Sequence, residues 1–123
     1  MYRRLAGSEG PVLGFHVEGT IADAEVKEMH RELLAAIERH GRASLLVEIG
    51  PLGLPEPAAM LRDLRLTPEY LREVERFAIV GHGRWQEWAT RLTDLVARGE
   101  ARHFEPTDVD RAWEWVRHGP PKL

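Results

Sequence analysis

No cysteine occurs among the 123 residues. That excludes a disulfide framework, a thiolate zinc site and thiol redox chemistry together. It also accords with a reducing compartment, so a cytoplasmic location is the expectation. Neither sign of charge is in marked excess. Seventeen Lys and Arg stand against 20 Asp and Glu, a formal charge of −3. So mild a balance predicts neither nucleic acid nor an anionic membrane surface as partner. No apolar run approaches the ~20 residues that a membrane-spanning helix needs. The first ten residues hold two arginines and no apolar stretch, so no secretory signal is expected there. Serine is scarce, with Ser8 and Ser44 alone.

What is present fits one soluble domain. A chain of this length can bury a core without staples. Glycine and proline punctuate it into readable elements. Residues 2–6 read as a short edge strand and residues 12–18 as a strand by alternation, the two forming an antiparallel hairpin. Thr20 opens a helix, with Asp23 as the acid of a capping box. Its stripe Ala22, Val26, Met29, Leu33 and Ile37 has helical period, and Gly41 ends it. Residues 43–49 are almost wholly apolar and suit a central strand. Residues 50–57 carry three prolines and two glycines and are a loop. Residues 58–66 look helical, and Thr67-Pro68 restarts a short helical segment to residue 71.

Residues 77–80 read as a further buried strand closed by Gly81. Residues 84–97 are helical, with Trp85, Trp88, Leu92 and Leu95 on one side. Residues 101–104 make a last strand. Thr107 caps a final helix whose stripe is Val109, Ala112, Trp113 and Val116. The fold class is therefore α/β, in the order β-β-α-β-α-β-α-β-α. It implies a mixed, mostly parallel sheet of about five strands with packed helices and right-handed crossovers. The domain runs over residues 1–119, and residues 120–123 form a frayed tail.

Residues 75–81 (ERFAIVG), then Trp85 and Trp88, then residues 99–104 (GEARHF), then Ala112 and Trp113, resemble the SpoIIAA-like (STAS-type) family of small bacterial proteins. The strand Val12-Leu13-Gly14-Phe15, the Gly19 turn, the first helix and the strand Leu45 to Ile49 match its layout. The resemblance implies the fold just described. It also implies a regulatory role, because the family takes its name from antagonists of anti-sigma factors and includes lipid-carrying proteins of related shape. Those antagonists carry a phosphorylatable serine where a helix begins after a central strand. Residues 50–60 here contain no serine or threonine. A serine switch at that position is not expected.

Six histidines are scattered as His16, His30, His40, His82, His103 and His118, and none has the spacing of a metal-binding helix. They read as surface or capping groups, and no metal or cofactor is expected. Three strand ends would converge on one rim, where open α/β sheets bind ligands: Glu18-Gly19, Glu48-Ile49-Gly50 and Gly81-His82-Gly83. Two carboxylates and a histidine are the inventory of acid–base chemistry. With no nucleophile elbow, phosphate loop or orienting third group, they read instead as solvated or helix-capping residues. No catalytic residue is assigned.

Two functions follow. The first is a non-enzymatic STAS-type module that binds a protein partner or itself as a homodimer, through a surface of Leu52, Leu54 and an exposed Trp115. The second is a carrier or sensor of a small apolar, lipid-like ligand. Its pocket would be lined by Met60, Leu64, His82, Trp85 and Trp88. The charged stretch from Arg62 to Arg76 alternates in sign and reads as a solvated helix face.

Overall fold

The structure is a computed structural model and describes residues 2–19, 22–50, 73–82 and 100–119. Five strands form one sheet in chain order: β1 (Tyr2–Arg4), β2 (Val12–Val17), β3 (Ala43–Ile49), β4 (Val74–Val80) and β5 (Glu100–Phe104). β1 is antiparallel to β2, and β2 through β5 are parallel. Helix α1 (Asp23–His40) joins β2 to β3. A 3-10 turn (Pro106–Asp108) follows β5 and leads into α2 (Val109–His118). The helices expected over residues 58–71 and 84–97 lie outside the described residues. No helix among the described residues is long and apolar enough to cross a membrane.

The alternation in each strand feeds two cores. On one face Leu13, Phe15, Val17, Leu45, Val47 and Ile79 pack with Met29, Leu33 and Ala36 of α1. On the other, Val12, Leu46, Ala78 and Val80 pack with Ala112, Trp115 and Val116 of α2. Each fully buried aliphatic side chain contributes roughly 1.5–3 kcal/mol before chain entropy is charged against it. β3 is buried on both faces, which is why its sequence is an apolar run rather than an alternation.

The helix ends differ in part from expectation. α1 starts at Asp23, with Ala22 at the N-cap. The acid that serves it is Glu25, whose Oε1 accepts from the Ala22 N–H at 3.1 Å. The same carboxylate accepts the Tyr2 N–H at 2.8 Å through Oε2. These backbone donors, that of Ala22 foremost, hold the Glu25 carboxyl below the usual carboxylate range. At the other end Gly41 takes φ 75° and its N–H reaches Ile37 O, the left-handed cap that glycine favours. Thr107 does not cap α2 but sits inside the 3-10 turn, where Pro106 occupies the first position. Asp108 is the residue at the α2 N-cap.

β4 begins three residues earlier than residue 77. Val74 is fully buried opposite Ala43. Glu75, which in sequence belongs to a charged run, contacts Arg42 at 3.3 Å. β1 is strapped along one face of α1. Arg4 meets Glu32 at 3.4 Å, and the Tyr2 ring lies edge-on to Phe15 at 5.9 Å. Burial, followed by the bond its hydroxyl gives Glu28, pushes the Tyr2 phenol up to about 12.

Candidate functional site

The carboxyl ends of β2 and β3 bring three polar side chains, His16, Glu18 and Glu48, together. His16 and Glu48 are register partners on adjacent parallel strands, so their side chains leave the same face of the sheet. His16 Nδ1 lies 2.8 Å from Glu48 Oε1. An ionised carboxylate only accepts, so the tautomer with its hydrogen on Nδ1 completes that bond. The other ring nitrogen, Nε2, faces Glu18 Oε1 at 3.7 Å. The imidazole is therefore enclosed by two carboxylates, with only 9% of the residue exposed.

Gly50 makes this arrangement possible. A Cβ at that position would stand 2.4 Å from the Glu18 carboxyl. Without one, the Glu18 side chain folds across the end of β3, while the Gly50 N–H donates to Val17 O at 2.9 Å. The local pattern His16-Val17-Glu18 beside Glu48-Ile49-Gly50 thus builds a small polar knot from two strand ends.

His82 does not join it. Its side chain is 83% exposed and its ionic neighbour is Glu105, 3.8 Å away. The acid–base trio of Glu18, Glu48 and His82 is therefore corrected: the histidine between the two acids is His16. The turn after β4 is tied instead to β5, where His103 Nε2 donates to Gly81 O and the Gly81 N–H donates to Phe104 O. Among the described residues no group of three His, Asp or Glu side chains is arranged to hold a metal ion.

The α2 tryptophans exchange their expected roles. Trp115 is not an exposed contact residue; it is 4% exposed. Its ring tilts against Phe104 at 5.8 Å, with the Arg102 guanidinium 5.6 Å above it. Trp113 is the partly exposed one. Its six-membered ring lies over Gly14, where a Cβ would come within 2.3 Å, and over Gly7 at 3.0 Å. Arg117 caps that ring at 4.8 Å and donates to Gly7 O at 3.1 Å. The reason is geometric. Residues 112, 115 and 116 share the arc that faces the sheet, and residue 113 leaves it sideways, into the gap that two glycines open.

Of the residues expected to line a ligand pocket, Met60, Leu64, Trp85 and Trp88 lie outside the described residues. So do Leu52 and Leu54 of the expected contact surface. His16 is the residue that sequence reasoning missed. The available signal was positional: His16 precedes Glu18 by two, as Glu48 precedes Gly50, and parallel neighbours bring such matched ends side by side.

Taken together, a mostly parallel five-stranded sheet, α1 on one face and α2 on the other, defines an α/β domain with an antiparallel edge hairpin. The SpoIIAA-like family model matches residues 12–117, and the chain belongs to that family. It is similar to a solved structure of an uncharacterised protein of the DUF3478 family with a SpoIIAA-like fold from Shewanella loihica PV-4. The two share 30% identity over 85% of this chain and 83% of that one, with a TM-score of 0.58. No curated protein matches.

Proposed function

We propose that this protein is a non-enzymatic interaction module of the STAS type, acting by binding a protein partner or a second copy of itself. The observation that carries the reading is the polar knot in which His16 is hydrogen-bonded to Glu48 and faces Glu18 at 3.7 Å. A histidine kept for turnover needs one nitrogen presented to substrate. Here one nitrogen is bonded to Glu48 and the other faces Glu18, so the group ties two strand ends together. Family membership over residues 12–117 supports the same reading, since the antagonists that name the family act by contact with other proteins.

Native mass spectrometry of the protein taken from its host tests the proposal. The expected species is a homodimer or a stoichiometric complex with another protein, which purified components then reconstitute. A monomer at every concentration, with no protein partner, would overturn it. A stoichiometric apolar small molecule would replace it with the carrier reading, whose remaining residues are Met60, Leu64, Trp85 and Trp88.

A further inference from the structure

We draw no further inference here: the strongest candidate, the outer edge of strand β5 where the exposed Arg102 guanidinium is held 5.6 Å above the Phe104 and Trp115 rings, carries nothing because nothing in the structure shows what covers it.

Discussion

The two faces of the sheet are held by different physics. The α1 face is packed mainly by aliphatic groups: Leu13, Val47 and the Phe15 ring meet Met29, Leu33 and Ala36. The α2 face is an interlock. Trp113 fills the space above Gly14, Trp115 lies against Phe104 under Arg102, and the strand-end knot of His16 and Glu48 belongs to the same side as Val12 and Leu46. An aliphatic face depends on total volume and tolerates exchange among similar side chains. An interlock depends on individual shapes and does not. The contrast places specificity of the native packing on α2 and bulk stabilisation on α1.

The largest expected effect is that of Trp115→Ala. It removes a buried ring from the α2 core and should cost about 3–5 kcal/mol in chemical denaturation. The volume-conserving change Leu33→Met on the α1 face should cost less than about 1.5 kcal/mol by the same measurement. Equal losses would erase the contrast. Next comes Gly14→Ala, whose new methyl meets the Trp113 ring. It should cost about 1–3 kcal/mol, and Trp113→Leu in the same chain should restore most of that. No rescue would mean that Trp113 is not what excludes a side chain at position 14.

The smallest effect concerns the β1 strap on the α1 side. The Tyr2 phenol sits at about 12 in the folded chain, above its ordinary 10.0, through burial and the bond to Glu28. The folded state therefore holds this proton more tightly than the unfolded state. Its contribution is full below pH 10 and is lost as the pH rises toward 12. Stability measured across that window should fall in the wild type, and Tyr2→Phe should remove part of the slope. An identical slope in both proteins would show that Tyr2 does not report on the strap.

Much of this architecture was legible from pattern alone. Residues 43–49 are almost wholly apolar, and β3 occupies that span. Gly41 marked the end of α1 because only a left-handed residue closes the helix there. The failures share a cause. Periodicity locates a face but not what stands opposite it. The α2 stripe reads with Trp113 in the core and Trp115 outside it, and the structure reverses the two because Gly14, 99 residues away from Trp113 in the chain, draws that ring aside. Thr20 and Thr107 had the local chemistry of caps, yet Glu25 and the turn at Pro106 set the helix starts. His16 is one of six scattered histidines in the sequence, and its partner Glu48 arrives only through strand register.

That knot carries the functional reading, and a stability cycle on it is the most direct test. His16→Asn and Glu48→Gln, alone and together, should each lower the unfolding free energy, with a coupling of about 0.5–3 kcal/mol between them. Such a result is that of a latch between β2 and β3. Polar groups retained for activity against the interest of the fold behave in the opposite way, and replacing them raises stability. A gain in stability from either substitution would contradict the account.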